Sequence, residues 1–161
     1  MQISEAEAYQ SVFHALNKSS GLKAMAGTSI MQDIRNKAMA GNPITEAALS
    51  VYVYRAAKYI GAYWATLPDA DAIVFTAGVG ENEGYVRAKI LSFLENLHFE
   101  IDAESNAQRK CEMEIARSNV NPKHPLSVLV IPTDEEIVIG YDTLFIGHLK
   151  QGVPAVYPFE M

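Results

Sequence analysis

Apolar residues recur at steps of three and four in the opening segment. Ala8, Val12, Phe13 and Leu16 predict a helix over Glu5–Leu16, and the polar run Asn17-Lys18-Ser19-Ser20-Gly21 ends it. Leu22–Ala26 is short and apolar, and Gly27-Thr28-Ser29 breaks it. Ser29 is placed to cap a second short helix running through Asp33 to Ala40, which Gly41-Asn42-Pro43 closes. A long helix follows, with Thr45 as its expected N-cap and Glu46 in the first turn, where a carboxylate suits the helix dipole. Leu49, Val53, Ala57, Ile60, Trp64 and Leu67 mark one stripe; Ala48, Val51, Tyr52, Tyr59 and Tyr63 make a second apolar flank. A helix apolar over most of its circumference is expected to be largely buried. Pro68-Asp69 stops it.

The period then changes. Ala72-Ile73-Val74-Phe75-Thr76-Ala77 is almost unbroken apolar sequence and predicts a strand covered on both faces. Gly78–Gly84 reads as a tight loop. Tyr85–Leu97 resumes helical spacing through Val86, Ile90, Phe93 and Leu94, and His98–Asp102 predicts a short strand. Glu104–Ser118 is polar and predicts one surface helix and a loop. Leu126–Ile131 is a second buried strand, Pro132-Thr133-Asp134 turns the chain, and Glu135–Leu149 is the last helix. The tail, 150–161, carries Pro154 and Pro158 and is expected to be irregular. This order predicts an α/β fold with at least two parallel strands, in a single domain over 1–161. Ligands of open α/β sheets sit beyond the carboxyl ends of the strands, which directs attention to Gly78 and Pro132.

Composition narrows the function classes. The chain has 161 residues, 49% of them apolar and 20% charged, with a net charge of −6. That acidic balance argues against a phosphate-tracking nucleic-acid binder, which would carry a basic face, so no nucleic acid is expected. One cysteine, Cys111, leaves no internal disulfide framework, and four scattered histidines (His14, His98, His124, His148) form no metal cluster by spacing. The start carries Glu5 and Glu7 and no basic residue through Phe13, which is the wrong charge for a signal peptide. The apolar runs are too short for a membrane span. A cytoplasmic protein with no membrane partner is expected.

Three constellations could carry chemistry. Thr76-Ala77-Gly78-Val79-Gly80-Glu81-Asn82 joins a buried strand to a helix through glycines, which let backbone approach a ligand closely. It is neither a dinucleotide fingerprint nor a P-loop, and Glu81 and Glu83 disfavour a bare phosphate nest. A plain strand-to-helix turn capped by Asn82 or Glu83 is the alternative. Pro132-Thr133-Asp134-Glu135-Glu136 places three acids at a strand end, where carboxylates can hold the waters of a phosphate-borne Mg²⁺; the alternative is a Thr133–Glu136 capping box. Gly27–Arg35 is a loop and helix start that could line a pocket. On spacing alone it is only a capped helix start.

Several separated motifs agree on a family. Leu16–Leu22, Tyr52-Val53-Tyr54-Arg55, Lys58–Tyr63, Asp71–Asn82 and Val130–Glu136 occur in the order of the carboxyl-terminal part of acetate kinases and the related propionate kinases, which the chain resembles from near Gln10 to near Phe145. The resemblance implies the three-layer distal part of an actin-like (ribonuclease H-like) ATPase domain. It implies transfer of the terminal phosphoryl group of ATP to a short-chain carboxylate, giving an acyl phosphate, with Mg²⁺. It assigns nucleotide contact, to ATP or ADP, to Gly78, Val79, Gly80, Glu81 and Asn82 together with Met31 and Gln32. It assigns the metal to Glu135, or to Glu136 if the alignment shifts by one. It also implies a homo-oligomer, with the tyrosine-rich long helix as a contact.

The chain departs from the family pattern in places. Ile30 and Gln32 stand beside Met31 where an aspartate and an arginine are usual, and Glu83 stands where a small residue is usual. Whole acetate kinases are much longer and carry the phosphoryl-stabilising arginines, a histidine and the acyl pocket in parts this chain does not match. Little or no turnover by the chain alone is therefore expected. The alternative is a non-catalytic binding or assembly module derived from the same fold.

Overall fold

The computed structural model describes residues 4–67, 69–121, 125–153, 156 and 157. The chain forms two compact units, residues 1–131 and 132–161.

The first unit opens with α1 (Glu5–Lys18), α2 (Leu22–Ala26), α3 (Met31–Met39) and α4 (Pro43–Thr66). α1 begins with a capping box in which Ser4 and Glu7 satisfy each other's backbone N–H groups. Its apolar face is open: Tyr9, Val12, Phe13 and Leu16 are all exposed. Ser29 does not cap α3. The N-cap is Ile30, whose N–H donates to the Thr28 hydroxyl. Nor is Thr45 the cap of α4. The Asn42 Oδ1 accepts from Ile44 and Thr45, and Pro43 takes the first helical position, where its missing N–H costs nothing. Thus Asn42-Pro43 opens α4 as well as closing the turn before it.

α4 also corrects the expectation of near-complete burial. One stripe, Ala48, Leu49, Val53 and Ala57, is buried, while Val51, Tyr54, Tyr59 and Tyr63 are exposed. Leu49, Val53 and Ala57 pack with Ile34 of α3 and with Val86, Ile90 and Leu94, forming the larger core. The predicted stop at Pro68 lies outside the described residues; the helix ends with Leu67 as C-cap.

The sheet has the order β1-β4-β3-β2, from β1 (Ala72–Phe75), β2 (Glu100–Ile101), β3 (Met113–Ser118) and β4 (Leu126–Val130). β1 and β4 are parallel, with Ile73 opposite Val128 and Phe75 opposite Val130, as the sequence predicts. β1 is an edge strand, and Val74 is 47% exposed, so the expected two-sided cover is not found there. β4 is central, and Leu126, Val128 and Val130 are buried on one face.

β3 lies where a helix and loop are predicted. It is antiparallel to β4, with a register shift between Glu114 and Ala116. This bulge at Ile115 turns Ile115 and Ala116 both inward, fully or nearly buried. Glu114 and Arg117 consequently share the outer face, where they pair through two bonds of 2.6 and 2.7 Å. The helix expected in this region is the short α7 (Ala103–Ala107), capped by Asp102.

Between β1 and β2 run α5 (Ala77–Asn82) and α6 (Gly84–Ser92), joined at Glu83. The glycine segment is therefore a short helix and not a loop.

In the second unit, α8 (Glu135–Asp142) is capped by Asp134, whose Oδ1 accepts from the Ile137 N–H at 3.1 Å. A wider helical turn, Thr143–His148, follows. Tyr157 donates its hydroxyl proton to Asp142 at 2.7 Å. The described part of the tail has no helix or strand, and Pro154, Pro158 and His124 lie outside the described residues.

Candidate functional site

The parallel pairing brings two strand ends side by side. The Ile131 N–H donates to the Phe75 carbonyl at 3.0 Å, so β1 and β4 finish at one edge of the sheet. From β1 the chain turns sharply through Thr76 and Ala77 into α5. Ala77 has φ +57°. That left-handed conformation costs a residue with a Cβ about 1–2 kcal/mol, and such strain collects where a corner is fixed by function or packing. Neither Gly78 nor Gly80 has a positive φ.

The two glycines differ in what requires them. A Cβ on Gly80 would meet the Phe75 carbonyl carbon at 3.0 Å, so Gly80 lets α5 press against the end of β1. A Cβ on Gly78 would meet nothing within 4 Å. Among the described residues, then, no contact requires glycine at position 78. Val79 is half-buried and joins the larger core. Asn82 donates its side-chain amide to the Gly78 carbonyl at 2.9 Å, closing α5 from within. Glu81 is buried.

Behind the glycines lies Arg87, 1% exposed. Its NH1 group donates to the Gly80 carbonyl at 2.7 Å, its Nε to Asn106 Oδ1 at 3.0 Å, and its NH2 group to the Asn106 and Gln108 carbonyls. Asn106 in turn donates to the Gly84 carbonyl at 2.9 Å. Burial pulls the guanidinium below the ordinary arginine pKa; Glu83 opposes this and Arg109 adds to it. A fork of donors suits a place where several carbonyls converge. Sequence reasoning assigned Arg87 no role, and a single arginine in a helical pattern carries no signal of burial.

The α3 residues separate. Met31 is buried in the core, Gln32 is exposed, and Ile30 is 58% exposed. Their neighbour Arg35 reaches the α5–α6 corner: its Nε lies 2.9 Å from Glu83 Oε2. Arg35, Asn82, Glu83, Gly84, Tyr85, Asn106 and Arg109 border a cavity of about 340 Å³ with apolar walls from Ala88, Ile101 and Ala103. That volume is in the range of small-ligand sites.

In the second unit, Glu135 and Glu136 are exposed in the first turn of α8. The cap is Asp134, not the Thr133–Glu136 box. Among the described residues no group of three His, Cys, Asp or Glu could hold a metal. A single exposed carboxylate such as Glu135 is chemically compatible with Mg²⁺, which keeps several waters and is commonly held by one or two carboxylates together with substrate phosphates. No helix among the described residues is long and apolar enough to cross a membrane.

The comparisons with known proteins agree with one another. A sequence profile described as the Acetokinase family matches residues 1–141. The chain is 47% identical over 134 residues to the acetate kinase of Desulfotalea psychrophila, covering 83% of this chain and 32% of that protein. It is 43% identical over 135 residues to the acetate kinase of Pseudothermotoga lettingae, again 83% of this chain and 32% of that protein. Among solved structures, the Porphyromonas gingivalis acetate kinase matches with a TM-score of 0.71 and 34% identity, over 89% of this chain and 35% of that one. A propionate kinase from Francisella tularensis matches with a TM-score of 0.69 and 31% identity, over 84% of this chain and 36% of that one. The chain thus spans about a third of the length of the curated relatives it matches. The α/β fold, the distal part of an actin-like ATPase domain, is the one expected from the motifs. On the profile match and the relatives together, the chain belongs to the Acetokinase family.

Proposed function

We propose that the chain supplies the nucleotide-binding part of an ATP:acetate or ATP:propionate phosphotransferase that forms an acyl phosphate. Gly78, Val79, Gly80, Glu81 and Asn82 lie against the adenosine, and Met31 and Gln32 approach it from α3. Met31 does so as a floor, since its side chain belongs to the core. Glu135 holds water on the Mg²⁺ that travels with the phosphates. Mg²⁺, when bound, neutralises phosphate charge; the protein's own part is positioning.

The observation that carries this reading is Gly78. It is a glycine that neither its backbone conformation nor packing among the described residues requires, on a helix held from behind by Arg87 and Gly80, at the shared edge of two parallel strands. Turnover by the chain alone is absent or slight in this reading, because the residues that steady the moving phosphoryl group belong to parts of the relatives that the chain does not match. Self-association is supported by open apolar faces on α1 (Tyr9, Phe13) and α4 (Tyr59, Tyr63).

A second reading, a non-catalytic binding or assembly module, is favoured by the start of α3. Ile30 and Gln32 offer no charge there, and both are exposed. Titration with Mg·ATP separates the two. A ligand that binds only the folded state raises its stability with concentration. A rising melting temperature and a calorimetric isotherm support the first reading. No shift at millimolar nucleotide supports the second. A coupled assay showing substantial acyl-phosphate formation by the purified chain would overturn the claim of absent turnover.

A further inference from the structure

The Arg35–Glu83 ion pair joins the two segments assigned above to the nucleotide. Glu83 is the single residue between α5 and α6, the C-cap of one and the N-cap of the other, so whatever fixes it also fixes the angle of α5. Arg35 stands four residues after Met31 on the inward face of α3. The Arg35 and Glu83 side chains are 18% and 8% exposed, and their charged atoms are 2.9 Å apart. Nε of Arg35 is buried and makes no aligned hydrogen bond among the described residues, so this charge contact is its partner. Both residues border the 340 Å³ cavity beside Asn82.

We propose that this pair is a positioning device. It sets the separation of α3 from the α5–α6 corner, and through that separation the affinity for the nucleotide. The inference rests on the nucleotide reading above. Its physical basis is that removing either partner leaves the other's charge poorly solvated beside the cavity. The remaining charge turns toward water and carries its element with it. Arg35 then does from within α3 what the exposed Ile30 and Gln32 cannot do: it ties α3 to the glycine helix by charge.

The test is a double-mutant cycle read by calorimetry with Mg·ATP well below the melting temperature. Glu83→Gln and Arg35→Met should each raise the dissociation constant about tenfold, and the double variant by no more than either single one, since only one interaction is lost. Arg35→Lys keeps the charge and should recover most of the affinity. It also serves if Arg35→Met does not fold. A merely structural pair would lower the melting temperature and leave the dissociation constant of the folded protein unchanged. Variants that fold and bind as tightly as the parent overturn the positioning role alone. A parent chain that binds no Mg·ATP overturns the nucleotide reading and this inference together.

Discussion

The α5–α6 corner and the acidic turn before α8 are both charged junctions that follow a strand, and they are built in opposite ways. At the corner the charge is inside: Glu81, Glu83 and Arg87 are 8%, 7% and 1% exposed. At the turn, Asp134, Glu135 and Glu136 are all exposed, and the bond from Ile137 to Asp134 is a local cap. The difference lies in the backbone. Around the corner the chain aims the carbonyls of Gly80, Asn106 and Gln108 at one point, and an arginine is needed to satisfy them. The acidic turn asks only for an N-cap. Buried charge at the corner is therefore architecture that holds the glycine helix, while Glu135 stays at the surface and takes no part in holding an element in place.

The comparison breaks first at Arg87. Arg87→Met strips the donors from three inward carbonyls and should destabilise the first unit by about 3 kcal/mol or more, measured by urea unfolding. Gly84→Ala is next. Its Cβ would lie 2.2 Å from the Asn106 carbonyl oxygen, so backbone must move, at a cost of about 1–3 kcal/mol in the same assay. Glu135→Gln should change unfolding free energy by no more than about 0.5 kcal/mol, because the side chain is exposed. It should instead weaken the Mg²⁺ dependence of nucleotide binding, seen by titrating nucleotide with and without the ion.

The smallest effect concerns pH. The Ser105 backbone N–H and hydroxyl, with the Glu104 N–H, hold Asp102 below its ordinary carboxylate value of 3.8. A lowered folded-state value means that the cap's contribution is complete above the ordinary value. It is lost as pH falls through the lower, folded one. Melting temperature against pH should therefore drop more steeply in that acid range for the parent than for Asp102→Asn.

Much of the scaffold was legible because it follows simple periods. The parallel strands at Ala72–Phe75 and Leu126–Val130 are apolar runs, and the glycines after the first one marked the corner correctly. β3 was not legible. The bulge at Ile115 sets two inward residues side by side and destroys the alternation a strand should show. The cap of α4 was misplaced at Thr45, because Pro43 at the first helical position makes Asn42 the cap. At the site, the glycine segment could be read from sequence, but its helical form could not. The Arg87 network and the Arg35–Glu83 pair were also hidden, since both join segments far apart in the chain. The core place of Met31 was not foreseen either, although its spacing to Ile34 on α3 is that of a buried helical face.

The central claim is that adenosine lies on the open side of α5. Backbone amide NMR of the chain titrated with Mg·ATP tests it residue by residue. The account predicts progressive, saturable shifts at Gly78, Val79, Gly80 and Asn82, absent in a Gly78→Val variant that keeps the rest of the spectrum. Saturable shifts that leave these amides untouched, or binding of equal strength in Gly78→Val, would contradict it.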